Sequence, residues 1–471
     1  MKQIITIFTA AAAAAALTSC ASVPRDAGAP DVQDTVVQRT GAPVEWRSVP
    51  ATADDERVAA MLRDDLTADG AVAIALVNNP RLQVTLAELG IARADLIEAS
   101  TISNPVFEFE IRFPGEPYRP YELRLAQSLI ELIQLPRRRA LGRAAFDAAQ
   151  MTVSSAVLRF AADVRLTYYE LVAATQRVAL TRTGAASAQT AAEVALKQHA
   201  AENITDLDLE NEQAVYEQAK LDLARAEQSV LLAREALIRA MGLRNVAAEW
   251  RIADGFPELP ASEMEQEQLE QLAATQRLDI AIARRELDVA RQQVPLARLA
   301  ALEETVLDVH YEREPDGKRT AGPGIELPIP IFNTGRAART RAEAQFLRAS
   351  HELNALEAES SSRLRSARAT LSEARARLEY YRDVIVPRRA RIVELTKLEH
   401  NAMLAGVFQL LQAKRNEMQA QRDSIDAQRE YWIARAGLDR ALQGIGDDTS
   451  FTPATDQGQG KRAVAHSRGG H

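Results

Sequence analysis

The chain has 471 residues, 46% of them hydrophobic but only 5% aromatic, with 26% charged and a formal net charge of -8. That balance favours long helices with solvated faces over a compact aromatic core, and with no basic stripe it excludes nucleic acid as a partner. One cysteine excludes an intrachain disulfide framework and any multi-cysteine metal site.

The N-terminus, MKQIITIFTAAAAAAALTSC, has a basic Lys2, an apolar run from Ile4 to Ala16, and then Leu17-Thr18-Ser19-Cys20. Residues 1–19 read as a signal peptide. Leu17 to Cys20 resembles the bacterial lipobox, which implies lipid attachment at Cys20, and Ala21 after it points to the outer membrane. An uncleaved anchor or an ordinary signal is the alternative, although the run is short for a bilayer span. Residues 20–69 follow as a lipidated tether, extended to about residue 55 where Ala, Pro, Asp and Thr dominate.

A first repeat is expected over 70–242. Its opening amphipathic helix runs to about Ser100 with a break at Asn78-Asn79-Pro80. Phe107, Phe109, Ile111 and Phe113 then alternate with Glu108, Glu110 and Arg112, and Tyr121, Leu123 and Leu125 alternate with Glu122 and Arg124. Two such runs about a Pro/Gly turn predict a hairpin over about 106–128. A long helix over about 137–200, roughly 95 Å at 1.5 Å per residue, comes next. A polar break at 200–206, with Thr205 or Asn203 as N-cap, leads to a shorter helix that closes at Met241-Gly242.

Residues 243–275 read as an inter-repeat linker lying as a girdle at the equator, where the two shorter helices meet end to end beside the long one. The pattern then recurs over 276–444 at an offset of roughly 200. QRLDI opens it; Leu307, Val309 and Tyr311 alternate with Asp308, His310 and Glu312; GIELPIPIF from Gly324 stands as the fourth strand, giving a hairpin over about 305–331. A long helix over about 335–400, a break at NAMLAGVF and a final helix complete it. Gly184 and Pro387 fall at corresponding places in the two long helices, where a bend is cheapest. Residues 445–471 read as a disordered tail.

Beyond residue 20 no stretch approaches 18 apolar residues, so a membrane crossing has to use strands. Four strands cannot close a barrel, and an open edge in lipid leaves backbone groups unsatisfied. Three copies supply 12 strands, with Phe107, Phe109, Ile111, Phe113, Leu307, Val309 and Tyr311 towards lipid and Glu108, Glu110, Arg112, Glu122, Arg124 and Asp308 towards an aqueous lumen. The expected fold is mainly α with a small transmembrane β part, a trimeric β-barrel carried on long helices.

The duplicated helix-hairpin-helix layout, NNPRL, QRLDI, LPIPIFNTGRAARTRAEAQF and AMLAGVFQLLQAKRN resemble the TolC family of outer-membrane efflux proteins over about residues 70–444. IELIQLPRRRALGRAA is faintly similar to the metal-cation subgroup, without the Gly-Gly-Lys expected there. The resemblance implies a homotrimeric exit duct in outer-membrane lipid, its 12-stranded β-barrel continuous with a long periplasmic α-helical barrel, docked on a periplasmic adaptor and an inner-membrane pump, for small molecules or metal cations. Protein or peptide secretion through the same architecture is the alternative within transport, and a coiled-coil periplasmic adaptor is the alternative outside it. An adaptor would carry one helical hairpin in Gly-rich β domains.

No Gly-rich elbow, phosphate loop or metal-ligand spacing appears, so no enzyme, cofactor or metal site is expected. The inter-helix turns should form the periplasmic entrance. The first carries Glu202, Asp206, Asp208, Glu210 and Glu212, an acidic mouth or gate on one reading and helix N-terminal acids on a solvated face on the other. The second carries Gly406, Val407 and Phe408, an apolar adaptor contact or simple helix-end packing, with Gln409 or Gln412 where the family often has Asp. His199 and His400 precede the two turns as solvated helix-end residues or a pH-sensitive pair.

Overall fold

A computed structural model describes residues 28–46, 56–113, 119–244 and 250–445. The signal peptide, Cys20 and the tail beyond 445, with His466 and His471, lie outside the described residues. In chain order the elements are α1 (Ala29–Thr40), α2 (Glu56–Met61), α3 (Ala68–Asn78), α4 (Pro80–Ser100), β1 (Val106–Ile111), β2 (Tyr121–Ser128), α5 (Leu129–Ala200) and α6 (Asp206–Met241). There follow α7 (Gln266–Gln276), α8 (Leu278–Ala297), β3 (Val306–Arg313), β4 (Arg319–Glu326), α9 (Arg336–Tyr380), a π-helical turn (Tyr381–Ile385), α10 (Val386–Asn401) and α11 (Val407–Gln443). The fold is mainly helical with one four-stranded antiparallel sheet, order β1-β2-β3-β4.

The duplication is plain in the elements. α3 and α7 are 11 residues each, and every later element of the first half has its counterpart in the second. By this correspondence the second repeat begins at Gln266, inside the segment expected as linker.

Four further boundaries depart from expectation. α5 starts at Leu129, not near 137, because Ser128 accepts from the Glu131 amide as an N-cap and Pro136 is absorbed within the helix. β4 ends at Glu326, so the second hairpin stops short of 331; Pro328 and Pro330 have no N–H to offer a ladder. The tether contains helices. Pro30 at its start, Asp31 in the first turn, Arg39 in the last and Gly41 as a left-handed C-cap define α1, and burial of Val32 and Val36 packs it on α5. Finally, the second long helix is divided by the π turn, next to Pro387, whose ring would clash with the carbonyl four residues earlier in a regular helix.

Each repeat is fastened where its two shorter helices meet. The Asn78 side-chain amide donates to the carbonyls of Met241 and Gly242 at 3.3 and 3.0 Å, and that of Asn79 to Arg239 and Ala240 at 3.1 and 2.7 Å. These are the carbonyls a helix C-terminus leaves without partners. Asn79 Oδ1 also caps α4 through the Arg81 amide at 2.8 Å. Gly242 has φ 73°, and a Cβ there would lie 2.7 Å from the Asn79 backbone, so the junction admits only glycine. In the second repeat the buried Arg277 takes the same place. It is ion-paired with Asp279 and donates to the carbonyls of Ser360 and Ala441 at 3.2 and 3.5 Å.

The main core lies beside these junctions. Tyr169 and Trp432 meet at a tilt with ring centres 5.4 Å apart and Tyr431 meets Trp432 edge-on at 5.2 Å, with Leu237, Met241, Leu364 and Leu371 buried in the same core. The inter-repeat segment closes over this core. Trp250 is buried, Leu66 bridges to Ile252, and Glu263 accepts from Arg375 at 3.2 Å, from the Tyr431 hydroxyl at 2.6 Å and from Arg435 at 2.6 Å. Burial pushes the phenols of Tyr169 and Tyr431 up to about 12. Both therefore stay neutral wherever the protein works.

Candidate channel wall and its two ends

The sheet's register assigns each strand residue to a face, because directly opposed residues point the same way. Phe107, Leu125, Val309 and Pro323 form one row, and Phe109, Leu123, Tyr311 and Ala321 the next. Ile111 and Tyr121 continue this face, as does Leu307 opposite Ile325. It is exposed: Phe107 is 64% accessible, and Phe113, just beyond the end of β1, is 78% accessible. The expected apolar residues thus share one continuous uncovered face. The other face carries Glu108, Arg124 and His310 in one row, and Glu110, Glu122 and Glu312 in another. Asp308 shares it, buried against Gly324, where any Cβ would press on its carboxylate.

β1 and β4 each have one unpaired edge. An exposed apolar face with open edges is unstable in water and in lipid alike unless more strands are added. Among the described residues no helix is long and apolar enough to cross a membrane.

The turns lie at the far end of α5, roughly 108 Å from its first residue at 1.5 Å per residue. Both have one backbone design. Glu202 and Met403, at φ 57° and 62°, are the non-glycine residues with positive φ among the described residues. The Glu202 amide donates to His199 and the Asn203 amide to Gln198; the Met403 amide donates to His400 and the Leu404 amide to Glu399. This is the left-handed helix end that usually takes glycine.

The five expected mouth acids are not equivalent. Asp206 contacts His199 Nε2 at 2.6 Å, and Asp208 closes a capping box with Thr205, one of the two N-caps expected. Glu212 is buried and paired with Arg415 of α11 at 3.3 Å, which joins the two repeats; nothing in the local sequence of Glu212 signals a partner two hundred residues away. Glu202 and Glu210 are exposed. At the second turn Gly406 is the N-cap of α11, and Val407 and Phe408 are half-buried. More exposed than either are their apolar neighbours Met403 and Leu404, at 95% and 80%, which no pattern in the turn's sequence distinguishes from helix-end packing. His400 is held by the Ala405 carbonyl at 2.9 Å. Among the described residues no group of His, Cys, Asp and Glu side chains could hold a metal ion.

A duplicated helical frame, with one amphipathic open-edged sheet at one end and paired turns at the other, defines one protomer of a strand-built membrane channel. Residues 269–444 match the family model described as Outer membrane efflux protein. That match covers most of the second repeat, and over most of its length the chain has the fold of solved outer-membrane channels. The chain is 25% identical over 385 residues to the cobalt-zinc-cadmium resistance protein CzcC of Cupriavidus metallidurans, covering 80% of this chain and 90% of that one. It superposes on a membrane protein from Pseudomonas aeruginosa with TM-score 0.67 at 22% identity, covering 86% of this chain and 97% of the other. On the Campylobacter jejuni CmeC outer membrane channel the TM-score is 0.62 at 17% identity, with 86% and 92% covered. The coiled-coil adaptor alternative accounts for neither the duplicated frame nor the sheet.

Proposed function

We propose that the chain is the outer-membrane channel of an efflux system, a passive duct for small molecules or metal cations across the periplasm and outer membrane, and not an enzyme. The observation that carries the reading is the four-stranded sheet, apolar on one face, charged on the other and open at both edges. Three copies close it into a 12-stranded barrel, whose apolar band meets lipid and whose charged face lines water. The helical frame continues that pore through the periplasm. Cys20, acylated after removal of residues 1–19, adds a lipid anchor at the same membrane.

The turn end faces a periplasmic adaptor and an inner-membrane pump, which supplies the energy. The acids from Glu202 to Glu212 lie at this mouth, and Gly406, Val407 and Phe408, with Met403 and Leu404 beside them, contact the adaptor. Metal cations are the favoured cargo because a relative matched along most of its length is a cobalt-zinc-cadmium resistance protein. Mass measurement of the detergent-purified protein should give a trimer, and planar bilayers should show discrete conducting pores. A stable monomer without conductance overturns the reading.

A further inference from the structure

The charged face of the sheet is not balanced. In the row farther from the helices, Glu110, Glu122 and Glu312 stand directly opposite one another on three adjacent strands. Like charges in this relation repel, since their Cβ atoms are only about 5 Å apart. One guanidinium reaches all three: Arg112 Nε is 2.9 Å from Glu110, and its two amino nitrogens are 3.3 Å from Glu122 and 3.9 Å from Glu312.

Nearer the helices a second guanidinium is shared in the same way, by carboxylates from three successive rows. Arg124 is 3.0 Å from Glu326, 3.3 Å from Asp308 and 3.6 Å from Glu108, with His310 at 4.0 Å from Asp308. Each arginine is therefore shared by three carboxylates, leaving two uncompensated in each set of every chain. At the turn end Asp206 contacts His199, Asp208 closes its capping box and Glu212 pairs with Arg415, while Glu202 and Glu210 are exposed.

We propose that the charge selectivity of the duct is set in the barrel lumen, with Arg112 and Arg124 as the residues that limit its preference for cations. The inference rests on the trimeric channel reading, in which the two sets become belts around the lumen with six uncompensated carboxylates each. A narrow low-dielectric wall focuses that field, raises the local cation concentration and excludes anions. Cargo that passes readily is then cationic or neutral, and multivalent anions are disfavoured whatever the pump delivers.

The test is the reversal potential of the full-length protein in planar bilayers under a KCl gradient. Arg112→Gln should raise the cation-to-anion permeability ratio about twofold or more, and Glu122→Gln with Glu312→Gln should lower it by a similar factor. The second variant removes repulsion within the sheet, so loss of folding cannot mimic its effect. Both shifts should fade in about 1 M salt, where the screening length is about 3 Å. Conducting pores whose selectivity ignores these variants, or follows Asp206→Asn with Asp208→Asn instead, overturn this inference alone. Absence of conductance from the unaltered protein overturns the channel reading and this inference with it.

Discussion

The two repeats reach nearly the same backbone by different means, and they differ most in how firmly their long helices are held. α5 runs unbroken for 72 residues and buries side chains almost to its end, with Ala185, Ala191, Ala192 and Ala195 still covered near the turn. Small residues there let α6 and α11 approach closely; at Gly184 a Cβ would meet the Met418 methyl. The second repeat's counterpart is split by the π turn, and α10 beyond it buries no residue, with Leu395 and Leu398 exposed. α11, by contrast, is bound to the first repeat. Arg415 pairs with Glu212, Asp426 with Arg177, Arg429 with Glu170 and Arg440 with Asp163, all on one side of the helix. Within the protomer the first repeat and α11 are therefore the most heavily cross-linked part, and α10 is the segment of the long helices that buries least.

The largest expected effect concerns the junctions, where one repeat uses two asparagines and the other a buried ion pair. Arg277→Ala strands the Asp279 carboxylate and removes donors from two carbonyls, at a cost of about 3–5 kcal/mol. Asn79→Ala loses a neutral cap and two hydrogen bonds, costing about 1–2 kcal/mol. Thermal unfolding of both variants in the same detergent would check the order, and equal losses would mean that the charge in the second junction adds nothing.

A smaller effect is expected at the π turn. Pro387→Ala removes the ring that obstructs a regular helix and restores an N–H, so α9 and α10 can join as α5 does. Amide exchange over 381–391 should slow and unfolding should shift upward, by about 1–3 kcal/mol at most. Unchanged exchange would place the cause of the π turn in its packing against α11.

What the sequence disclosed and what it hid follow the range of the forces involved. The alternation in β1, β2 and β3, the Asn78-Asn79-Pro80 break and the Thr205 cap are local signals, and each element formed where its signal lay. The fourth strand lies earlier than its sequence suggests, because GIELPIPIF alternates as well as any strand, while the real one, RTAGPGIE, is weakened by two glycines and a proline and forms by pairing with β3. The capping signals around α1 were local too, but a composition rich in Ala, Pro and Asp obscured them. Glu212 with Arg415, the three carboxylates on Arg112 and the Arg277 clamp could not be read locally, since each joins strands or helices far apart in the chain.

The turns allow the finest comparison, because their backbones match and their side chains do not. Glu202 and Met403 both carry a Cβ in a left-handed conformation, which costs about 1–2 kcal/mol relative to glycine. Glu202→Gly and Met403→Gly should each stabilise the protein by about 1 kcal/mol, less the entropy glycine adds to the unfolded chain. If backbone strain is all that matters, the two gains agree. Glu202 is also an exposed acid on an acidic turn, so its removal should gain slightly more at low ionic strength and match Met403→Gly in high salt. Unfolding midpoints of the two variants at low and high salt separate strain from charge: a loss of stability in both would mean that the turns tolerate no added freedom, and a gap unchanged by salt would assign the difference to packing.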